Sequence, residues 1–205
     1  LARRETVVGV LTQTDKPSGR GLETEPTPVK KLALELGLPV FQPASPSSLC
    51  ETFKNLSPDL AVVVAYGKIL KSDLLAVPSL GTLNVHFSLL PKYRGAAPVQ
   101  WSLVHGETRT GVTLFWLDEG MDTGPILLSR ELEVGPDEDT PALLQRLMIL
   151  GVSALGEALD QIRSGNIRRE PQFGPASLAP RIKREDARIS LEQPAQAIHN
   201  LVRGM

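Results

Sequence analysis

The run LAVVVA at residues 60–65 constrains the fold more than any other stretch of this chain. It is rich in β-branched side chains, has no polar face and is bounded by Pro58 and Gly67. A strand of that kind is covered on both sides rather than wet on one. Cover for two faces has to come from other elements, and the flanking sequence supplies helices. Thr27-Pro28 reads as an N-cap followed by proline at the first helical position, with Val29, Leu32, Ala33 and Leu36 as an apolar stripe and Gly37 as the stop. Thr140-Pro141 opens the longest helix in the same way. Its inner face is read as Leu143, Leu144, Leu147, Met148, Leu150, Leu155, Leu159 and Ile162. Strand-like runs at 6–12, 39–42, 60–65, 81–87, 110–117 and 125–132 alternate with helical stretches up to about residue 165. The alternation predicts an α/β fold, a mostly parallel sheet with helices on both faces. Residues 167–184 read as irregular, and 194–203 as a last short helix.

One strand breaks the apolar rule. In GTLNVHFSLLPKYRGAAP, residues 81–98, Asn84 and His86 alternate with Leu83, Val85 and Phe87 and so project from one face. Pro91 ends the strand, Gly95 permits close backbone approach, and Pro98 stands where a helix can begin. A polar pair followed by a bent loop is how an open α/β sheet presents a ligand site, although a core histidine beside a turn would read the same way. Asp122, in the turn DEGMDTG, is the third residue of interest. If neighbouring parallel strands bring their carboxyl ends to one edge, Asp122 reaches His86 there. A carboxylate beside an imidazole fixes its tautomer and raises its pKa, leaving it poised to move a proton near neutrality. Asn84 offers N–H donors to a developing oxyanion. The trio suits attack on a carbonyl carbon by a nucleophile the substrate brings, such as an amine. Ser88 lacks the G-x-S-x-G surroundings of a serine nucleophile.

Other chemistries find little support. Gly19 and Gly21 start a G-x-G that lacks its third glycine. His105 and His199 stand far from any acid or Cys cluster with ligand spacing, and His86 with Asp122 gives only two ligands, so no metal is expected. Trp101 and Trp116 read as packing. The chain has 205 residues, enough for one α/β domain and a short appendage, and its net charge of −1 gives no bulk attraction to nucleic acid. Lys16 and Arg20, on the loop QTDKPSGRG, are placed to meet phosphate or simply to be solvated. A single cysteine, Cys50, suits packing in a reducing compartment. No signal-peptide pattern is found and no apolar run approaches the length of a membrane span, so a cytosolic domain is expected.

At these residues the chain resembles the folate-dependent formyltransferases, whose pattern is N-x-H, then SLLP, then an Asp in a D-x-G turn. Here the matching residues are Asn84, His86, Ser88-Leu89-Leu90-Pro91 and Asp122. The phrases TQTDKPSGRG and TPVKKLALELGLPVFQP extend the likeness to members that act on charged tRNA. The resemblance implies a Rossmann-like catalytic domain over residues 1–180, without the family's opening strand, and a linker over 181–205 toward a C-terminal domain. It implies 10-formyltetrahydrofolate as formyl donor, held along Ser88, Leu89, Leu90 and Pro91, with its pteridine against VVVAYG and the turn before Asp122. The implied acceptor is the α-amino group of initiator methionyl-tRNA, with Arg20 near the acceptor end. Asn84 and His86 would handle the oxygen and the proton, Asp122 would orient His86, and no metal would take part. The expected protein is a bacterial-type cytoplasmic monomer, with an organellar location as the alternative, that needs no membrane. Other acceptors (an amino sugar, glycinamide ribonucleotide or water) and a non-catalytic folate-binding fragment are the competing readings. The LETE after Arg20–Gly21, where the family is usually basic, weakens a tRNA contact at that loop.

Overall fold

A computed structural model describes residues 1–18 and 23–205, and it divides into two compact units. Unit 1 contains 1–61 and 66–81; unit 2 contains 62–65 and 82–205.

In unit 1, Val10–Leu11 (β1) pairs in parallel with Val40–Phe41 (β4). Between them, Lys16–Ser18 (β2) and Glu23–Glu25 (β3) form an antiparallel ladder across what the sequence reads as plain loop. Arg20 falls between these strands, outside the described residues. Helix α1, Pro28–Glu35, begins as expected: the Thr27 side chain accepts from the Lys30 amide at 3.2 Å. Its apolar stripe does not become core. Val29, Leu32 and Leu36 are each more than half exposed and only Ala33 is buried, because nothing among the described residues covers that face. Helix α2, Pro46–Leu56, is boxed at its start by Ser45 and Ser48. Leu49 and Phe53 from α2 pack with Leu74 of the short α3, Ser72–Leu75, and Cys50 lies against this cluster as a small apolar side chain.

A four-stranded sheet has the order β5-β6-β7-β8: Leu60–Val63, Gly81–His86, Arg109–Trp116 and Ile126–Glu133; residues 62–63, 82–86 and all of β7 and β8 lie in unit 2. The α/β class is as expected, with sheets flanked by helices. The direction of the later strands is not: β6–β7 and β7–β8 are both antiparallel, and the described parallel ladder is β1–β4. For β7–β8 the reason is the connection, a tight DEGMDTG turn with no helix to carry the chain back across the sheet. Leu83, Val85, Val112 and Leu114 are almost wholly buried, each adding about 1.5–3 kcal/mol to the stability of the sheet.

Helix α4, Pro98–Val104, follows the central loop, and helix α5, Thr140–Arg163, packs on β7 and β8. Asp139 rather than Thr140 caps α5, accepting from the Ala142 amide. Its buried face is Leu143, Leu147, Gly151, Ala154, Ala158 and Leu159, whereas Met148 is 47% exposed. A stripe read only from large side chains misses the small residues that let helix and sheet approach: a Cβ on Gly151 would lie 3.4 Å from Phe87. Contrary to expectation, α5 is long and apolar enough to cross a membrane by length and composition. Its buried stripe is spent on the sheet. Helix α6, Ala195–Gly204, within the stretch expected to act as a linker, belongs to unit 2, packs on α4, and accepts a hydrogen bond from Thr140 at the Gly204 carbonyl, 2.9 Å.

Candidate active site

Asn84 and His86 leave β6 on the same face, and their Cα partners on β7 are Phe115 and Thr113. His86 is 6% exposed, its ring edge-on to Phe115. Its Nε2 lies 2.9 Å from the carbonyl oxygen of Tyr93, so this nitrogen carries the proton and donates it. Nδ1 is therefore the basic nitrogen of the neutral ring, and Asp122 Oδ2 stands 3.7 Å from it. That is too long for a hydrogen bond; the carboxylate acts on His86 through charge.

Two expectations change here. The Tyr93 carbonyl, not Asp122, fixes the tautomer. The His86 pKa also lies below its ordinary 6.5, since burial outweighs the opposing pull of the Asp122 charge and the Tyr93 carbonyl. His86 is thus neutral and ready to accept a proton at pH 7.

Asp122 does reach His86, but not because carboxyl ends share an edge. In the antiparallel register, Trp116 at the end of β7 lies beside Leu83 near the start of β6. The turn after Trp116 must fold back over the strand to bring Asp122 to His86. Asp118 braces that turn from within, accepting from the Gly120 amide at 3.0 Å and the Thr123 hydroxyl at 2.7 Å. Gly124 is required there, because a Cβ would fall 1.8 Å from the Trp116 carbonyl. Asp122 itself adopts φ +54°, and its Oδ2 accepts from the Gly95 amide at 2.7 Å. Gly95 in turn has φ +123°, a conformation that side chains resist, and a Cβ would stand 2.7 Å from the Ala179 carbonyl.

The SLLP segment is a fixed loop, with a cis Leu90–Pro91 bond. Ser88 is fully buried and its hydroxyl donates to the Lys92 carbonyl at 2.7 Å, so it shapes the loop and has no hydroxyl to offer a ligand. Leu90 is 7% exposed, while Leu89 and Pro91 stay half-buried. Leu89 lines a cavity of about 240 Å³ with Lys92, Tyr93 and Glu107; His86 and Asp122 do not border it. Asn84, half-buried, makes no side-chain hydrogen bond among the described residues, which leaves its amide for an oxygen of a bound molecule.

Several residues holding this arrangement carried no legible signal. Thr113 Oγ1 donates to the Ser88 carbonyl at 2.7 Å and accepts from the Leu90 amide at 3.2 Å. Tyr93, with φ +61°, is anchored by its hydroxyl on Glu107 at 2.8 Å; burial and the Glu107 carboxylate push that hydroxyl's pKa up. The irregular stretch 167–184 is stitched along unit 2: Trp116 Nε1 donates to the Arg168 carbonyl, Ser177 Oγ accepts from the Tyr93 amide, and Trp101 Nε1 donates to the Pro180 carbonyl. The two tryptophans read as packing also serve as donors. Only a pattern of unlike residues meeting across long sequence separations reveals such roles, and one sequence does not display it.

Comparison with known proteins gives the family. Residues 2–159 match the family described as "Formyl transferase". Over its whole length the chain is 44% identical to the methionyl-tRNA formyltransferase of Thermodesulfovibrio yellowstonii and 48% identical to that of Trichlorobacter lovleyi, covering 67% and 66% of those proteins. It therefore spans about two thirds of the length of the curated relatives it matches. Among solved structures, an N-formyltransferase from Helicobacter canadensis in complex with folinic acid and dTDP-3-aminofucose superposes with a TM-score of 0.72 at 20% identity, covering 94% of this chain and 68% of that one. HypX from Aquifex aeolicus in complex with tetrahydrofolic acid gives 0.70 at 21% identity, covering 85% and 31%. At these identities the structures speak for the fold, and the sequence matches speak for descent. The Asn84, His86 and Asp122 arrangement thus sits in a chain that belongs to the formyl transferase family.

Proposed function

We propose that the protein of which this chain is part transfers the formyl group of 10-formyltetrahydrofolate to the α-amino group of initiator methionyl-tRNA. The observation that carries the reading is the convergence of His86 Nδ1 and Asp122 Oδ2, 3.7 Å apart, on a strand face shared with the Asn84 amide, which has no partner among the described residues. Relatives of 44–48% identity that bear the name methionyl-tRNA formyltransferase support the acceptor.

The amine nitrogen attacks the formyl carbon, a new N–C bond forms, and the bond from that carbon to the folate nitrogen breaks. The attacking amine loses a proton, for which His86 Nδ1 is the acceptor. The Asp122 carboxylate stabilises the imidazolium so formed, and His86 returns the proton to the departing nitrogen. Asn84 donates to the carbonyl oxygen as negative charge gathers there. An α-amine with a pKa below about 8 is partly neutral at pH 7, so positioning supplies much of the rate. Asn84 fits a formyl oxygen because its amide has no partner among the described residues; Leu89, Leu90 and Pro91 offer backbone and apolar surface to the donor, and Ser88 contributes loop shape. Arg20 is proposed to meet the tRNA acceptor end. No metal is invoked, and the protein acts as a soluble cytoplasmic monomer.

The test is formylation of methionyl-tRNA by the full-length protein and by its His86→Ala and Asp122→Ala variants. Turnover falls by at least about 100-fold in each while folding is kept. Parent-like turnover in either variant removes the assigned roles. Transfer to an amino sugar but not to methionyl-tRNA replaces the acceptor with that of the sugar enzymes, whose structural likeness is the observation favouring this second reading.

A further inference from the structure

We propose that Gln172 is a positioning residue that holds the Asp122 turn against the His86 ring. It lies in the stretch that reads as irregular, yet each end of its amide is committed. Nε2 donates to the carbonyls of Asp122, at 2.8 Å, and Gly124, at 2.9 Å. Oε1 accepts from Arg94 twice, from Nη2 at 2.6 Å and Nε at 3.1 Å. Arg94 immediately precedes Gly95, whose amide donates to Asp122 Oδ2. Gln172 thus bridges the same two loops that the Gly95–Asp122 hydrogen bond joins, one loop following His86 and the other carrying Asp122.

The chemistry of the clamp selects glutamine. Two carbonyls need donors and one guanidinium needs an acceptor, and a primary amide supplies both from one flat group. A carboxylate would satisfy Arg94 but set an oxygen against the two carbonyls. The segment is itself held in place, since Glu170 and Ile126 exchange both backbone hydrogen bonds, at 2.7 and 2.9 Å, two residues before Gln172. The clamp also acts where the backbone needs it. Asp122 sits at φ +54°, a conformation that persists in a non-glycine residue when its surroundings enforce it. Without Gln172, the Asp118 brace still closes the turn, but nothing among the described side chains ties its Asp122 end to the Arg94 loop except the single Gly95 contact.

The inference rests on the acid–base reading of this site, and its test separates the two. The groups facing the His86 ring are the Asp122 carboxylate, the Tyr93 carbonyl and the Phe115 ring, so the ring's titration reports whether Asp122 stays in place. NMR titration of His86 is compared in the parent, Asp122→Asn, Gln172→Ala and the near-isosteric, uncharged Gln172→Met, with formyl transfer measured in the full-length protein. Both Gln172 variants shift the His86 midpoint downward, in the direction Asp122→Asn shifts it. They lower kcat about 10- to 100-fold and leave KM for both substrates within about twofold. A midpoint and kcat like the parent's in the folded Gln172 variants overturn the assignment, as does a loss carried by KM alone. If the parent transfers no formyl group but the midpoint still moves, Gln172 positions Asp122 and the proposed reaction is what fails.

Discussion

Replacing Thr113 by valine keeps the shape of a fully buried side chain and removes one oxygen. In unit 2 that oxygen satisfies two backbone groups at once, the Ser88 carbonyl at 2.7 Å and the Leu90 amide at 3.2 Å. Neither regains a partner from valine. Leaving a buried backbone group unsatisfied costs about 1–3 kcal/mol, so two cost about 2–6 kcal/mol. The added methyl group returns about 0.8 kcal/mol, and local relaxation recovers part of the rest. The expected loss is about 2–4 kcal/mol, or about 4–16 °C in Tm for a chain of this size. Both tryptophans, Trp101 and Trp116, lie in unit 2, so intrinsic fluorescence during denaturation reads this unit directly. Thr113→Ser is the control: it keeps the oxygen, loses a methyl group and costs about 1 kcal/mol. Because the pinned carbonyl and amide belong to the loop that follows His86, kcat falls in the valine variant as well. If Thr113→Val proves no more destabilising than Thr113→Ser, the loop does not depend on this hydroxyl.

Acid sensitivity gives a second test. The folded-state pKa of His86 lies below its ordinary value, so the unfolded chain takes up the proton first as pH falls, and stability is lost as pH drops from about 6.5. A His86→Asn variant loses less stability than the parent between pH 7 and 5 by chemical denaturation; equal losses refute burial of a neutral ring. Gly95→Ala places a Cβ 2.7 Å from the Ala179 carbonyl at φ +123° and disturbs the amide that binds Asp122. It destabilises unit 2 by about 1–3 kcal/mol and lowers turnover, and a variant with parent-like stability and rate removes that contact from the site.

Helices with a local start signal were legible in the chain: Thr27-Pro28 opens α1 and a Pro opens α5, since capping needs only residues a few positions apart. The polar pair on β6 was equally plain, because alternation is a property of one strand. What those helices bury was not. Whether Val29 and Leu32 meet a partner, or whether Gly151 and Ala154 form the contact face, depends on elements far away in sequence. Strand direction misled for the same reason, and with it the argument for how Asp122 arrives.

Residue types and their spacing already carry the chemical inventory: an amide, an imidazole and a carboxylate set in spacings shared with one family, on elements whose local signals place two of them on a single strand face. Tertiary structure alone decided which nitrogen of His86 is basic, that burial rather than the carboxylate dominates its proton affinity, and that the back-folded turn, not a shared sheet edge, delivers Asp122. Each of these depends on groups such as the Tyr93 carbonyl, the Gly95 amide and the Gln172 side chain, which meet only after folding. Proton affinity and hydrogen-bond direction are set by what lies within a few ångströms, and sequence proximity does not measure that distance.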